Sequence, residues 1–430
     1  MDKYKERTSL SLDLEDYLYD GQNCIGQREC MFIDLNFLQG VDFSLRCPPW
    51  QQEQLSSYGA MGKCKLVTDL LTGKMDWTNP TLRDVVFKDL MCGACDTGCK
   101  RNLDLEPLLL IESLRARMVE LGYGPMPEHK TITENIEKTN NRYGRDQKAR
   151  LNWLPRGVKP AEKADILYFV GCRASFVDTE ISTSTARVLN AAKANFMVMT
   201  DEPCCGHFLF TTGQVEKARK KAEESLKLIR GTGAKTVVFG CADCYKAIKV
   251  DYPKLLGFPT SDLGFEAVHI TELADKWVKE GALKLGNAVE MKVTYHDSCN
   301  LGRMSEPWVP WEGTRGHWGR LDPPRTVRRG VHGVYEQPRD ILKAIPGIEL
   351  VEMVRHRENA WCCGNHGGVL EAYPDLASWT ASERLREAAT TGAEAIIASC
   401  PGCKENLAAA AKNGTKVYDI TELIVKAIGK

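Results

Sequence analysis

Short apolar runs alternate with amphipathic stretches along the second and third parts of the chain. ADILYFVG, FMVMTDEP and TVVFG have the length and apolar character of buried strands. STSTARVLNAAKA and GQVEKARKKAEESLKLIRG space their apolar residues as helices do, and a further helix opens at CADCYKAI. Strands that alternate with helices at these lengths predict an α/β fold with a mostly parallel sheet flanked by helices.

This pattern occurs twice. TVVFGCADCYKAI matches AIIASCPGCKENL, and the continuations VHITELADKWVKEG and VYDITELIVKAIGK also match. Each unit presents a cysteine after an apolar run, then Cys-Cys-Gly, then C-x-x-C, and the last two features are separated by 35 residues in one unit and 36 in the other. We therefore predict two pseudo-symmetric repeats, 160–290 and 291–430, after an N-terminal domain at 1–155.

Cysteine is the anomaly in an otherwise ordinary composition. The chain carries 57 basic and 57 acidic side chains, so its net charge gives no reason to expect nucleic-acid binding. Its apolar runs are shorter than a transmembrane segment, and its charged N-terminus lacks the apolar core of a secretory signal, so we expect a cytoplasmic protein. An odd set of 17 clustered cysteines then favours metal or iron–sulfur ligation over disulfides.

The predicted strands end at cysteines. Ligands of parallel sheets gather beyond the carboxyl ends of the strands, where helix N-termini favour anionic thiolates and sulfides. Five thiolates exceed the needs of one cubane, so each repeat is expected to hold an unusual iron–sulfur cluster; zinc, the alternative, has no place for a fifth cysteine in a closed tetrahedral site. Gly206 and Gly364 would let the backbone turn tightly against the cluster. The expected ligands are Cys172, Cys204, Cys205, Cys241 and Cys244, and Cys299, Cys362, Cys363, Cys400 and Cys403.

Several segments of the repeats resemble the CCG-domain (cysteine-rich domain) family, most closely the catalytic subunits of heterodisulfide reductases and their relatives. They are EPCCGHFLF, FGCADCYK, YHDSCNLGR, VYEQPRDILKAIPGIELVEM, WCCGNHGG and ASCPGCKENL. In that family, two complete cysteine sets imply two noncubane 4Fe–4S clusters, one in each repeat, with a heterodisulfide cleaved between them. Both sets are complete here, so the resemblance implies two such clusters.

The N-terminal domain is similar to the helical ferredoxin-like part of fused heterodisulfide reductase-type subunits, through FKDLMCGACDTGCKRNLDLEPLLLIESLRARM and GYGPMPEHKTI. That part usually carries two C-x-x-C-x-x-C-x-x-x-C-P motifs, which bind two cubane 4Fe–4S clusters. Here Asp89 replaces the first cysteine of the second motif, Lys100 replaces its proline, and the first motif is stretched.

The resemblance therefore implies one or two cubanes with incomplete cysteine sets. Most of one set is Cys47, Cys92 and Cys95, and most of the other is Cys24, Cys30 and Cys99. Asp89, Cys64 or a non-cysteine group would supply the missing ligands. The alternative for Cys64 is a small buried hydrophobe, the commoner role of a lone cysteine in a helical stretch.

Three histidines stand beside the repeat cysteines. His207 and His366 follow the two Cys-Cys-Gly turns, and His296 precedes Cys299 by three residues. They are candidates for delivering a proton to a thiolate leaving group or for hydrogen bonds that tune a cluster. The alternative, which we favour, is a histidine that packs and hydrogen-bonds beside the ligands.

The second repeat is 31 residues longer than the first between its first cysteine and its Cys-Cys pair. The extra segment, 304–333, contains Trp308, Trp311 and Trp318 with Arg315, Arg320, Arg325, Arg328 and Arg329. Long loops are usually functional or disordered, and Arg with Trp suits an anionic substrate or a partner interface. A solvated excursion held by its tryptophans is the alternative.

These features predict an iron–sulfur oxidoreductase subunit. Electrons from a ferredoxin-like, flavoprotein or membrane quinone/haem partner would pass through the N-terminal cubane to the two noncubane clusters and cleave a disulfide-like substrate. The alternative is a non-catalytic electron-relay subunit of a bifurcating, quinone-linked or acyl-CoA-reducing complex. A glycine-rich nucleotide-binding motif in a strand–turn–helix context is not evident, so flavin or nicotinamide chemistry is expected on another subunit. Membrane association would be peripheral, through a partner.

Overall fold

The computed structural model describes residues 10–34, 38, 42–100, 104–315, 321–325, 329–412 and 414–429. Its N-terminal region is helical, as predicted. The seven helices described there are α1 (Leu18–Asn23), α2 (Pro48–Glu53), α3 (Ala60–Leu71), α4 (Leu82–Phe87), α5 (Ala94–Cys99), α6 (Pro107–Glu120) and α7 (Lys130–Thr139).

The first repeat alternates strands and helices in the predicted order. Its elements are β1 (Ile166–Phe169), α8 (Cys172–Phe176), α9 (Thr179–Ala191), β2 (Phe196–Met197), α10 (His207–Thr211), α11 (Val215–Thr232), β3 (Thr236–Phe239), α12 (Ala242–Lys246), α13 (Tyr252–Leu256), β4 (Glu266–His269) and α14 (Ile270–Lys279).

The second repeat follows the same plan with an inserted β-ribbon. Its elements are β5 (Met291–His296), the ribbon β6 (Thr314–Arg315) and β7 (Leu321–Asp322), α15 (Glu336–Ala344), β8 (Ile348–Leu350), α16 (Val369–Ala372), α17 (Pro374–Ala389), β9 (Ala395–Ala398), α18 (Pro401–Ala410), β10 (Lys416–Asp419) and α19 (Ile420–Ile428).

The two repeats share one sheet topology. The strand order is β2-β1-β3-β4 in the first sheet and β8-β5-β9-β10 in the second, and every pair within these sheets is parallel. The matching ITEL segments begin α14 and α19, and each helix starts with a capping box in which the Glu at the third position bonds back to the N-cap backbone. The duplicated unit predicted from the sequence is confirmed.

Strand register places the cysteines at one edge of each sheet. In the first sheet Phe169 lies opposite Phe239, and in the second His296 lies opposite Ala398. The first and third strands of each repeat therefore end side by side. The first cysteine of each set stands three residues beyond the first strand, and the C-x-x-C motif begins two residues beyond the third.

The repeats contact each other through equivalent helices. Helix α9 contacts α19, and α14 contacts α15. Because α9 and α15 follow the first strand of their repeats while α14 and α19 follow the fourth, these two contacts are related by a pseudo-twofold axis. Apolar side chains of both sheets and of these helices form a shared core, while a second core on the other side of the sheets contains cysteines of both repeats.

The N-terminal region packs against the second repeat. One core joins α3, α4 and α6 to Met304, Cys362 and α17. The buried guanidinium of Arg115 donates hydrogen bonds to carbonyl oxygens of α4, of Thr211 and of Gly367, at 2.7 Å for the last two. Because a buried guanidinium can satisfy several carbonyls at once, this side chain ties all three parts of the chain together.

The insertion lies along the N-terminal region instead of projecting into solvent. The guanidinium of Arg329 lies 2.6 Å from Asp96 and 3.1 Å from Glu106, and Arg325 lies 2.9 Å from Asp104. Lys100, in the place of the expected proline, is buried at the centre of the same three carboxylates. Three of the five arginines that suggested an external anion, Arg315, Arg325 and Arg329, thus pair within the chain; Trp318, Arg320 and Arg328 lie outside the described residues.

Candidate metal centres

The cysteines of the first repeat form one connected group, the first sulfur set. Hydrogen bonds between sulfurs run in the order Cys172, Cys204, Cys205, Cys244 and Cys241. All five are buried, and none is in a disulfide. Hydrogen bonds from the thiols of Cys204 and Cys244 lower the pKa of Cys205 to about 6. The set therefore favours a thiolate, the form that binds iron.

The second sulfur set repeats this arrangement. The order is Cys299, Cys362, Cys363, Cys403 and Cys400, with each cysteine type in the position of its counterpart in the first set. The thiol of Cys362 lowers the pKa of Cys363 well below its usual value, and the thiols of Cys241 and Cys403 do the same for Cys400. Both sets bring together all five of the cysteines predicted for them.

The two sets meet end to end. Cys241 and Cys400, the first cysteines of the two C-x-x-C motifs, share a hydrogen bond across the interface between the repeats. In the second set, Cys362 also shares one with Cys92 of the N-terminal region. A line of ten sulfurs thus runs from Cys92 through both repeats to Cys172, with Cys299 attached to it at Cys362.

The Cys-Cys-Gly turns use glycine for its backbone conformation. Gly206 and Gly364 have φ angles of +71° and +91°, which side chains rarely adopt. A Cβ on Gly364 would stand 2.3 Å from the carbonyl oxygen of Ala377, and one on Gly206 would stand 3.3 Å from the side chain of Lys221. In this structure both glycines therefore face a packed helix. The Gly364 amide lies 3.4 Å from the Cys362 sulfur.

Each sulfur set lies beside its own arginine, which the sequence analysis did not single out. Hydrogen bonding with Cys204 and burial raise the pKa of the Cys172 thiol well above its usual value, and the backbone N–H and guanidinium charge of Arg142 oppose that rise. Arg303 is buried beside the second set, where it donates to the carbonyl oxygen of Cys92 at 2.7 Å and interacts electrostatically with Cys299. Such buried cations favour the anionic form of a thiolate–sulfide group.

His207 and His366 meet between the two sets. Their Nε2 atoms lie 2.9 Å apart, and Nδ1 of His366 lies 2.6 Å from the carbonyl oxygen of Leu90. Since a carbonyl only accepts, Nδ1 of His366 carries a proton. With His366 neutral, its Nε2 accepts the proton that Nε2 of His207 donates. Burial lowers the pKa of His207 well below its usual value, which favours this neutral pair.

His296 lies close to two sulfurs of the second set: its ligand atom and those of Cys363 and Cys403 lie within 4.8 Å of one another. Its Nδ1, however, accepts a hydrogen bond of 3.1 Å from Nε of Arg384. Arginine is always a donor, so this bond places the imidazole proton on Nε2, the atom that faces Cys363. The arrangement supports an N–H donor to a ligand sulfur, the role that the sequence analysis favoured.

A small polar cavity lies beside the histidine pair. Asn300 donates to Oδ1 of Asp243 at 2.7 Å, and the thiol of Cys400 lies 3.7 Å from the same oxygen. The cavity that contains Asp243 and both histidines has a volume of about 20 Å³. It has room for roughly one water molecule.

The N-terminal cysteines separate into two groups. Cys24, Cys30, Cys64 and Cys99 line one cavity, which we call the third sulfur set. Cys47, Cys92 and Cys95 lie near Asp89, whose charge acts on all three thiols; burial raises the pKa of Cys47 and Cys95, whereas a hydrogen bond with Cys362 lowers the pKa of Cys92 to about 6. The Asp89 carboxylate lies 3.0 Å from Nζ of Lys63. The two candidate completing residues, Cys64 and Asp89, therefore belong to different groups.

Comparison with known proteins agrees with the repeat. Residues 166–249 and 324–408 match the cysteine-rich domain family, CCG. Over 387 residues the chain is 36% identical to one subunit of the dihydromethanophenazine:CoB–CoM heterodisulfide reductase of Methanosarcina acetivorans, covering 88% of this chain and 86% of that protein.

The matches to more distant relatives cover a smaller share of those proteins. EtfAB:quinone oxidoreductase of Syntrophomonas wolfei is 29% identical, with coverage of 78% of this chain and 46% of that protein. One subunit of the fumarate reductase (CoM/CoB) of Methanothermobacter marburgensis is 27% identical, with coverage of 77% and 60%. With two matched cysteine-rich repeats and more than 30% identity over most of both chains, this protein belongs to the CCG family of heterodisulfide reductase subunits.

Proposed function

We propose that this chain is an iron–sulfur oxidoreductase subunit that reduces a disulfide-like substrate at the junction of its first and second sulfur sets. The observation that carries the proposal is the meeting of two complete, buried five-cysteine sets at Cys241 and Cys400. The relatives named as heterodisulfide reductase subunits support the choice of substrate class.

The donors of each sulfur set suit a noncubane 4Fe–4S cluster better than a single metal ion. Five thiols exceed the four ligands of a zinc site, and hydrogen bonds from neighbouring thiols lower the pKa of Cys205 in the first set and of Cys363 and Cys400 in the second. Backbone N–H groups of the turns donate to the sulfurs of Cys204 and Cys205, as expected around a reduced, anionic group. When bound, such clusters supply the electrons and the sulfur-binding irons for disulfide reduction.

The chain's own residues supply protons and hydrogen bonds. Reduction of R–S–S–R′ takes two electrons and two protons and gives RSH and R′SH. The two protons come from solvent, and the hydrogen-bonded pair of His207 and His366 can relay one of them: a proton taken up by the pair is passed on to a thiolate leaving group, with His366 held in place by the carbonyl oxygen of Leu90. His296 directs its Nε2 proton at Cys363 and so stabilises negative charge on that sulfur.

A second candidate function is electron relay without substrate chemistry. The specific observation in its favour is the cavity beside Asp243, because about 20 Å³ admits water but not a disulfide. Under this alternative the histidine pair only orders the hydrogen bonds around the two sets. The two candidates differ in whether the purified complex turns over a disulfide.

Electron donors are expected on the N-terminal side. Cys92 shares a hydrogen bond with Cys362, so the N-terminal cysteines lie next to the second sulfur set. A ferredoxin-like, flavoprotein or membrane quinone/haem partner that docks on this region would place its redox group at the near end of the sulfur line. Among the described residues, no helix combines the length and apolarity of a bilayer span, so we infer that any membrane association runs through a partner. We also propose cytoplasmic placement and units of 1–155, 160–290 and 291–430.

The test is the iron and acid-labile sulfide content of anaerobically purified protein, with EPR of reduced and thiol-oxidised samples. Two noncubane clusters plus one or two cubanes require about 12 or about 16 irons per chain. Cys205→Ser and Cys363→Ser should each remove the signal of one set and leave that of the other. A thiol-dependent paramagnetic signal would support disulfide chemistry over relay. Zinc in place of iron, or only about four irons, would exclude the proposal.

A further inference from the structure

The third sulfur set collects cysteines from four separate places in the N-terminal region. Cys24 follows α1, Cys30 lies in the next loop, Cys64 is in the middle of α3, and Cys99 ends α5. The four line one cavity, whose remaining wall combines Ala60, Met61, Leu105 and Pro107 with Gln27, Arg28 and Glu29 from the loop between Cys24 and Cys30. A cavity lined by four thiols has the donors of an iron–sulfur site.

Glycines let the helices that carry these cysteines approach each other closely. A Cβ on Gly21 would stand 2.8 Å from the carbonyl oxygen of Cys64, so glycine is what lets α1 lie against α3. A Cβ on Gly98 would stand 2.3 Å from the carbonyl oxygen of Glu29. The first contact brings Cys24 to Cys64, and the second brings Cys99 to Cys30. The assembly of the set is therefore built into the backbone packing.

The sulfurs interact with one another as well as with backbone donors. Cys24 and Cys64 share a hydrogen bond, and the Cys64 sulfur also interacts electrostatically with Cys99 and Cys30. Backbone N–H groups of Gly26, Met61 and Leu105 donate to the sulfurs of Cys24, Cys30 and Cys99, respectively. A buried hydrophobe would require neither these partners nor this orientation.

We propose that Cys64 is the fourth ligand of a cubane iron–sulfur centre formed with Cys24, Cys30 and Cys99. The inference takes from the proposed function only the kind of group that is bound. Cys64 lies on α3, which carries none of the other three cysteines. It takes the place of the ligand that the stretched first motif lacks. The remaining N-terminal cysteines, Cys47, Cys92 and Cys95, then belong to a separate group beside Asp89.

The test compares full-length wild type with Cys64→Ala, Cys64→Ser and Thr68→Val. Thr68 lies one turn after Cys64 on α3 and donates its hydroxyl to the Cys64 carbonyl oxygen at 3.1 Å, so Thr68→Val disturbs the same helix without touching a sulfur. Iron, sulfide and reduced-state EPR are measured on anaerobic samples, with circular dichroism as the check on folding.

Cys64→Ala should lose about one to four irons per chain and one cubane-type signal, depending on whether the cluster is lost or only depleted. Cys64→Ser should retain more iron than Cys64→Ala with an altered EPR spectrum, since an oxygen ligand replaces sulfur, and Thr68→Val should match wild type. Wild-type iron and EPR in Cys64→Ala would overturn the inference, as would an equal loss in Thr68→Val. If the wild type itself lacks iron, the proposed function fails as well; iron-replete wild type with an unaffected Cys64→Ala sinks this inference alone.

Discussion

A buried charge network supports the histidine at the second sulfur set, and its removal gives a strong test. Glu387 accepts hydrogen bonds from Nε of Arg355 at 3.0 Å and from Nη1 of Arg384 at 2.7 Å, and the side chains of all three are fully buried. Arg384 in turn donates to Nδ1 of His296. Glu387→Gln keeps the shape of the side chain but leaves two buried guanidinium groups without this carboxylate.

The expected loss of stability follows from this burial. Removing one partner of a buried ion pair typically costs about 3–5 kcal/mol, because the remaining charge stays desolvated. The entropy of unfolding of 430 residues is about 0.9 kcal/mol/K if the chain unfolds as one unit. The same loss then lowers the midpoint of thermal unfolding by about 3–6 °C, and by more if the second repeat unfolds alone.

The assay is thermal unfolding of the anaerobic protein followed by circular dichroism, with Glu336→Gln as the matched control. Glu336 pairs with Arg357 in the same repeat, but its side chain is 54% exposed, so its loss should shift the midpoint by less than about 1 °C. Equal midpoints for Glu387→Gln and wild type would refute the assignment of a stabilising role to the buried carboxylate. A Glu336→Gln shift as large as that of Glu387→Gln would show that burial is not the cause.

Three further outcomes are expected. Burial lowers the pKa of His269 from 6.5 to about 3, so the unfolded state binds a proton more tightly than the folded state. The free energy of unfolding should therefore fall as the pH drops below about 6.5, by about 2 kcal/mol between pH 7 and pH 5. In urea titrations at these two pH values, His269→Asn should remove this part of the pH dependence. Arg329→Ala breaks the ion pair with Asp96, so limited proteolysis should cut the insertion several-fold faster than in wild type. An unchanged rate would contradict the role of this ion pair in holding the insertion against the N-terminal region. Gly364→Ala should lose iron and stability through its clash with a backbone carbonyl oxygen at 2.3 Å, whereas Gly206→Ala, whose Cβ would stand no closer than 3.3 Å to its nearest neighbour, should lose less of each.

Much of the fold was predictable because its signals are local. Strand and helix periodicity depends on neighbouring residues, and the duplicated ITEL and C-x-x-C segments are readable by eye. Parallel pairing then places the ends of the first and third strands together, which is why Cys172 and Cys241, and likewise Cys299 and Cys400, come to one edge. The helical N-terminal region, by contrast, was implied by the resemblance to the ferredoxin-like part of the family.

Other contacts depend on how distant segments pack. His207 and His366 are 159 residues apart, and their 2.9 Å contact arises from the pseudo-twofold packing of the two repeats. The arginines of the insertion suggested an outside ligand, but Arg325 and Arg329 pair with carboxylates more than 200 positions away in sequence. An arginine in the sequence indicates only that its charge needs an anionic partner. Tertiary packing determines whether that partner is a carboxylate of the same chain or an external ligand.

The N-terminal cysteines show most clearly which features the sequence determined and which the tertiary structure decided. By itself, the sequence determined that seven cysteines precede the repeats and that their spacing departs from the two-motif pattern. Only the tertiary structure decided that Cys64 joins Cys24, Cys30 and Cys99 while Asp89 lies with the others. The physical reason is that these groups come from different helices, whose approach is set by glycine contacts and core packing; periodicity along one segment carries no information about a neighbour contributed by another.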